Sequence, residues 1–128
     1  MARGIIRTDG APSSPLYSQG VRAGETIHVS GMPGIDPETG RLAGPTIQEQ
    51  ARQALANCAN VVAAGGGSID DVVEVGVLLT NPEDFAGLNE VFAEVFPVDP
   101  PTRYVAKLGV VLPDLLVSIR MTAVLGGG

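Results

Sequence analysis

The chain has 128 residues, of which 45% are hydrophobic and 17% are charged, and its formal net charge is −6. This composition is typical of a folded chain, and the length predicts a single domain over residues 1–128. The eight basic residues are dispersed and only 4% of the chain is aromatic, so we expect neither a basic patch nor nucleic acid as the main ligand.

Cysteine and histidine each occur once, as Cys58 and His28. A single cysteine excludes an internal disulfide, and the pair is too small a set for a His/Cys metal site within one chain. No apolar run reaches the ~20 residues that a membrane span needs, and no secretory signal precedes the first strand. We therefore predict a cytoplasmic protein that binds neither metal nor membrane.

The first part of the chain predicts three strands and a turn-rich connection. The strands are expected at residues 2–7, 17–22 and 25–31, and the last two form a hairpin around Ala23-Gly24. In the third strand Ile27 and Val29 share one face, while His28 and Ser30 share the other. Residues 36–44 are rich in turn formers and are predicted to be irregular.

Two helices and three strands follow. Thr46 stands three residues before Glu49, a capping-box spacing, and the helix that it opens should end at the glycines 65–67. Residues 69–80 read as a central strand. Asn81-Pro82 predicts the start of a second helix with an apolar stripe, which Pro97 stops. The last two strands are expected at residues 103–111 and 115–125.

The predicted order, β-β-β-α-β-α-β-β, is typical of an α+β domain with one sheet and both helices on a single face. We expect the other face to carry Val, Leu and Ile side chains that two helices cannot cover. Burial of that face against sister chains would protect it, so a homo-oligomer is predicted, with a trimer favoured because three sheets can close around an axis.

Arg103 is the first candidate for a functional residue. Pro100 and Pro101 stiffen the approach to the strand that Arg103 opens. A guanidinium is always charged, and its planar fork matches a carboxylate. Arg103 either pairs with an acid of the protein or binds an anionic ligand, and the local sequence leaves both possibilities open.

Short sequence motifs, at fixed places over nearly the whole chain, resemble those of the RidA/YjgF family of enamine/imine deaminases. The motifs are Pro15-Leu16-Tyr17-Ser18-Gln19-Gly20, Val29-Ser30-Gly31-Met32-Pro33, Asp36-Pro37-Glu38-Thr39-Gly40, Glu49-Gln50-Ala51-Arg52-Gln53-Ala54-Leu55, Asp84-Phe85-Ala86-Gly87-Leu88-Asn89-Glu90-Val91-Phe92 and Pro101-Thr102-Arg103. The resemblance implies a chorismate-mutase-like fold, a homotrimer, a pocket between each pair of subunits, and a reaction without metal or cofactor.

The same resemblance implies roles for individual residues. Arg103 matches the arginine that grips the substrate carboxylate, and Tyr17 matches the ring that borders the pocket. The remaining matches are Ser30 and Gly31 beside the ligand, Asn89 close to the site, and Val105 where many members carry a cysteine.

The last strand departs from the family pattern. Alignment on Ala123-Val124 places Ser118 where deaminating members have a Glu, and Arg120 where they have a second acid. Ser118 could orient a water but could not take its proton. The sequence therefore leaves two functions open: a hydrolase with weak deaminase activity, or a non-hydrolytic trimer that binds a small carboxylate as a sensor or accessory protein. It assigns no role to His28 or Arg120.

Overall fold

The computed structural model describes residues 3–126, which form one main six-stranded sheet and two α-helices. The strands are β1 (Gly4–Ile6), β2 (Gly20–Ala23), β3 (Thr26–Pro33), β4 (Ile35–Asp36), β5 (Arg41–Leu42), β6 (Val72–Leu79), β7 (Thr102–Lys107) and β8 (Val117–Val124), and the helices are α1 (Ile47–Ala64) and α2 (Phe85–Val95). The main sheet has the order β1-β2-β3-β8-β6-β7, and β4 and β5 pair separately. Only β6 and β7 are parallel.

The predicted α+β class and the predicted order of elements are confirmed, with one addition. The connection predicted to be irregular contains the small β4–β5 hairpin, whose turn has Gly40 at a φ of 74°. The Asp36 side chain closes this turn by accepting a hydrogen bond from the Glu38 amide. Residue 2, the first residue of the strand predicted at residues 2–7, lies outside the residues that the structure describes.

α1 starts where its capping residue predicts, whereas α2 starts one 3₁₀ turn after its predicted cap. The Thr46 hydroxyl accepts a hydrogen bond from the Glu49 amide at 3.2 Å at the start of α1. The Asn81 side chain accepts one from the Glu83 amide at 2.9 Å, but the turn that follows, Pro82–Asp84, is a 3₁₀ turn that precedes α2. These caps satisfy amides that would otherwise lack a partner at the helix ends.

The core lies between the helices and one face of the sheet. β3 and β8 alternate, so Ile27, Val29, Ile119 and Met121 are buried under the helices. Cys58 on α1 belongs to this core and lies 3.2 Å from the carbonyl oxygen of Ile119. Burial raises the pKa of this thiol to about 12, so it stays protonated and unreactive, as expected of a small core side chain.

The other face of the sheet, called the open face below, is more polar at its centre than the sequence predicts. Its side chains on the central strands are largely polar: Thr26 and His28 on β3, Ser118, Arg120 and Thr122 on β8, and Glu74 on β6. The strict alternation of β3 and β8 sends every apolar residue of β8 from 117 to 123 towards the helices. The expectation of a Val, Leu and Ile face is therefore met only in part: Ile5, Val21, Leu78 and Val124 lie there, together with Tyr104. No helix within residues 3–126 is long and apolar enough to cross a membrane.

Candidate functional site

Arg103 lies on the helix-facing side of the edge strand β7. It is paired with Val75, a fully buried core residue on β6, and paired residues of neighbouring strands share a face. Its guanidinium carbon lies 4.9 Å from the centroid of the Phe92 ring and 5.6 Å from that of Phe85. Its Nη1 donates a hydrogen bond of 2.8 Å to Asn89 Oδ1. Two aromatic rings and one amide therefore fix the orientation of the fork.

The charge of Arg103 is not balanced by a carboxylate of the described chain. The ion pairs within residues 3–126 join Arg22 to Glu25, Arg52 to Glu94 and Arg120 to Glu74. Asn89 is a neutral partner, and it occupies one of the five N–H donors of the guanidinium. Of the two possibilities left open by the sequence, pairing with a protein acid is not seen, and the oriented fork can accept an anion.

Phe85 and Phe92 are functional candidates that sequence reasoning missed, because it assigned both to the core stripe of α2. The signal was present in their spacing. Residues 85, 89 and 92 are separated by four and three positions, so they lie along one face of a helix, with Asn89 between the two rings. A polar residue inside an apolar stripe, facing a strand that carries an arginine, indicates a side chain that positions a charge.

A second group of predicted residues surrounds the end of β3. The Ser30 hydroxyl donates a hydrogen bond of 2.6 Å to the carbonyl oxygen of Ser18, and the Ser30 amide donates to the carbonyl oxygen of Gln19. Gln19 is buried, and its amide nitrogen donates to the carbonyl oxygens of Thr8, Ala11 and Pro12. These bonds hold the loop that presents Tyr17, whose side chain is 43% exposed.

Gly31 and Ser118 meet on the open face. A bulge between Val29 and Met32 shifts the register of β3 against β8 at this point. A Cβ built on Gly31 would lie 2.9 Å from the Ser118 hydroxyl oxygen, so the two residues are in contact. Tyr17, Ser30, Gly31 and Ser118 thus form one group, which we call the β3 group.

Arg103, Asn89 and Val105 form the other group, called the β7 group, and the chain does not bring the two groups together. Ser118 is on the open face of β8, whereas Arg103 and Val105 are on the helix-facing side of β7. β6 lies between β8 and β7, which places the strands roughly 10 Å apart. A small carboxylate held by Arg103 therefore cannot also contact Ser118 of the same chain.

Arg120 is turned away from Ser118. Its Nη1 donates to Glu74 Oε1 at 2.8 Å, and its Nη2 donates to the Thr122 hydroxyl at 2.6 Å. Glu74 is paired with Thr122, whereas the β6 partner of Ser118 is Leu78. Glu74 and Leu78 are four residues apart along the strand, a distance of roughly 13 Å. No carboxylate of β8 or β6 therefore stands beside Ser118.

His28 and the acids of the described chain form no metal centre. His28 is exposed on the open face and is paired with Thr122. Among residues 3–126 no three His, Cys, Asp or Glu side chains lie close enough together to hold a metal ion. The chemical capacity of the described site is therefore that of a fixed guanidinium, hydroxyl groups and backbone amides.

The fold and the site define a small α+β protein with an oriented arginine on an edge strand, bonded to no carboxylate among residues 3–126. The profile of the family described as Endoribonuclease L-PSP matches residues 8–125, and the chain belongs to this family, which is the RidA/YjgF family. The mouse 2-iminobutanoate/2-iminopropanoate deaminase is 34% identical over 97% of this chain and 93% of its own length.

Solved structures agree with this assignment. RidA from an Antarctic Psychrobacter has a TM-score of 0.89 and 36% identity, and the match covers 95% of this chain and 99% of that one. Escherichia coli TdcF, whose structure contains bound serine, has a TM-score of 0.88 and 34% identity, with coverage of 94% and 98%.

Proposed function

We propose that this protein assembles as a homotrimer that binds a small 2-imino or 2-keto acid in a pocket between subunits. The β7 group of one subunit would supply the carboxylate anchor, Arg103, and the β3 group of its neighbour would supply Tyr17, Gly31 and Ser118. The observation that carries this proposal is the position of Arg103: an oriented guanidinium with no carboxylate partner among residues 3–126, on the opposite face of the sheet from Ser118. A pocket that uses both groups needs a second copy of the chain.

The reaction that fits this pocket is hydrolysis of the imine to a keto acid and ammonia, at a low rate. A 2-imino acid is already electrophilic, so the protein must hold its carboxylate and orient a water at the imine carbon. Arg103 supplies the first function, and the Ser118 hydroxyl supplies the second. Because an unperturbed hydroxyl cannot take a proton from water, general-base assistance worth roughly 10²–10⁴-fold is missing. The names of the relatives support deaminase chemistry for the family in general.

A non-hydrolytic role is the second candidate, and the arrangement of charges on the open face favours it. The nearest acid on β6 is bonded to Arg120, so it is not free to act on a water beside Ser118. The protein would then bind the carboxylate as a sensor or an accessory protein. A coupled assay with an amino-acid oxidase separates the two functions: faster keto-acid release indicates a deaminase, and unchanged release with retained binding of 2-oxobutanoate indicates a binding protein.

Subunit complementation tests the shared pocket directly. Arg103→Ala removes the anchor, and Gly31→Leu fills the space beside Ser118, so neither variant should bind 2-oxobutanoate measurably in calorimetry. If the two variants are unfolded together and refolded as mixed trimers, about a quarter of the pockets should contain an intact Arg103 and an intact Gly31 by random assortment. Recovery of that fraction supports the proposal.

Two results would contradict the proposal. One is an Arg103→Ala variant that binds 2-oxobutanoate as well as the parent, since the anchor would then be elsewhere. The other is a monomer at micromolar concentration in sedimentation velocity, since no neighbour would be present to complete the pocket. Sedimentation of the mixed sample serves as the control that both variants remain assembled.

A further inference from the structure

A cavity of about 480 Å³ opens beside the carboxylate anchor. It is lined by Leu79, Pro82, Phe85, Val105, Ala106 and Lys107. These walls are mostly carbon, and the Lys107 ammonium is the one charge among the side chains that line them. We call this space the apolar chamber. A volume in the range of about 300–1,000 Å³ is typical of sites for ligands much larger than a three-carbon acid.

The chamber and the anchor share a wall. Phe85 lines the chamber, and the Arg103 guanidinium lies 5.6 Å from the centroid of the same ring. Val105 also lines the chamber and lies on the same side of β7 as Arg103, two residues and roughly 7 Å further along the strand. A carboxylate bound by Arg103 would therefore have its substituent at the mouth of the chamber.

We propose that the apolar chamber receives the side chain of the bound acid, so that the protein prefers 2-imino and 2-keto acids with a long or branched apolar side chain. This inference rests on the proposed function of Arg103 as the anchor. Each methylene removed from water contributes about 0.8 kcal/mol, which corresponds to a factor of about four in affinity. An isobutyl side chain in place of a methyl group should thus tighten binding by about tenfold or more, even if the chamber covers it only in part.

Lys107 suggests a competing ligand, an acid with a second carboxylate. The observations favour the apolar side chain, because a lysine can lay its carbon stem along an apolar wall and keep its ammonium in water. Leu79, Phe85 and Val105 offer no polar partner to a second carboxylate inside the chamber. A dicarboxylate would gain one exposed ion pair and would leave these carbon walls uncovered.

Calorimetric titration of the full chain with four acids tests the preference. The acids are pyruvate, 2-oxobutanoate, 4-methyl-2-oxopentanoate and 2-oxoglutarate. We expect 4-methyl-2-oxopentanoate to bind about tenfold or more tightly than pyruvate. We expect 2-oxoglutarate to bind more weakly than both 2-oxobutanoate and 4-methyl-2-oxopentanoate. Equal affinity for pyruvate and 4-methyl-2-oxopentanoate overturns the inference but leaves the anchor intact, and tightest binding of 2-oxoglutarate also overturns it. If none of the four binds, the proposed function fails as well.

Val105→Phe provides a second test, because the larger ring would occupy the chamber. The ratio of the two dissociation constants, for pyruvate and for 4-methyl-2-oxopentanoate, should fall to about one. Val98→Phe is the matched control: Val98 is exposed in the loop after α2 and lines a different cavity, so this variant should keep the parent ratio. A Val105→Phe protein that is folded and keeps the parent ratio overturns the inference. If that variant does not fold, the four titrations of the parent still decide.

Discussion

Ser118→Glu is the most informative single substitution, because alignment on Ala123-Val124 predicts that it restores a carboxylate which the family resemblance implies at this position. Ser118 is only partly buried on the open face, so a longer side chain there can extend towards solvent, away from its close neighbour Gly31. The nearest cation on β8 is Arg120, two residues and roughly 7 Å along the same face. Because Arg120 is already bonded to Glu74, it should help to keep the new carboxylate ionised without drawing it away from the water.

The expected gain is about 100-fold in kcat/KM for a 2-imino acid, the low end of the roughly 10²–10⁴-fold range for a general base. We choose the low end because Arg120, the cation on the same face of β8, is bonded to Glu74 and Thr122 and is not arranged to orient the introduced carboxylate. Ser118→Gln is the matched control, since it has the same length and lacks the base. The assay couples an amino-acid oxidase to keto-acid release, and thermal unfolding of each variant checks that the fold is retained.

A result in which Ser118→Glu and Ser118→Gln hydrolyse the imine equally fast, while both bind 2-oxobutanoate, would refute the reasoning. The missing Glu would then not be what limits hydrolysis, and the alignment of β8 would have to be abandoned. Equal gains in both variants would point to side-chain length, and no gain in either would point to a different reaction.

From the sequence alone, restoring both acids with Ser118→Glu and Arg120→Glu should work better than the single change. The structure reverses this expectation. Arg120→Glu would break the 2.8 Å ion pair with Glu74 and place like charges next to each other on the open face. The double variant should therefore be less stable and no more active than Ser118→Glu, and addition of Glu74→Gln should recover stability in a denaturant titration. A double variant as stable as the single one would contradict this account of Arg120.

Contacts away from Ser118 give three more expected outcomes. Asn89→Asp should weaken 2-oxobutanoate binding in calorimetry by about tenfold or more, and by more than Asn89→Ala does. The reason is that the new carboxylate would pair with Arg103 and repel the ligand. An affinity of Asn89→Asp equal to that of the parent would contradict this prediction. Gly76→Ala should destabilise by about 1–3 kcal/mol in urea, since the Tyr104 ring covers that position, and Tyr104→Ala added to it should recover part of the loss. Cys58 should react with a disulfide reagent at pH 8 only when denaturant is present, since burial raises its pKa to about 12.

The order of helices and strands could be predicted because its signals are local. Thr46 and Asn81 cap helix starts with their own side-chain oxygens, and neighbouring residues decide this without help from the rest of the fold. The end of β7 could not be predicted in the same way. Val110 and Val111 favour a strand, yet they are 61% and 87% exposed. β7 is an edge strand paired with β6, which ends at Leu79 opposite Lys107, so the described residues 3–126 offer no partner strand beyond that point.

The grouping of the candidate site could not be predicted either, because it depends on register. The pairing of Arg103 with Val75 sends the guanidinium towards α2, and a slip of one residue would have sent it to the open face with Ser118. Nothing in a strand of six residues, all but one of them exposed, specifies that register from the sequence. In this register the Tyr104 ring packs over Gly76 and the Thr102 hydroxyl donates to the carbonyl oxygen of Val73, and both contacts join residues far apart in the chain.

The separation of the two groups bears on how binding and hydrolysis relate in this chain. The fork of Arg103 is oriented by Asn89 and the rings of α2, none of which depends on the residue at position 118. Loss of a base on β8 can therefore reduce hydrolysis while carboxylate binding is retained. Ser118→Glu should then change affinity for 2-oxobutanoate by no more than about twofold while turnover rises, because the introduced charge acts on the water and not on the anchored carboxylate. A loss of affinity comparable to the expected gain in rate would mean that the new carboxylate lies against the ligand's own, and that the two groups meet differently in the pocket.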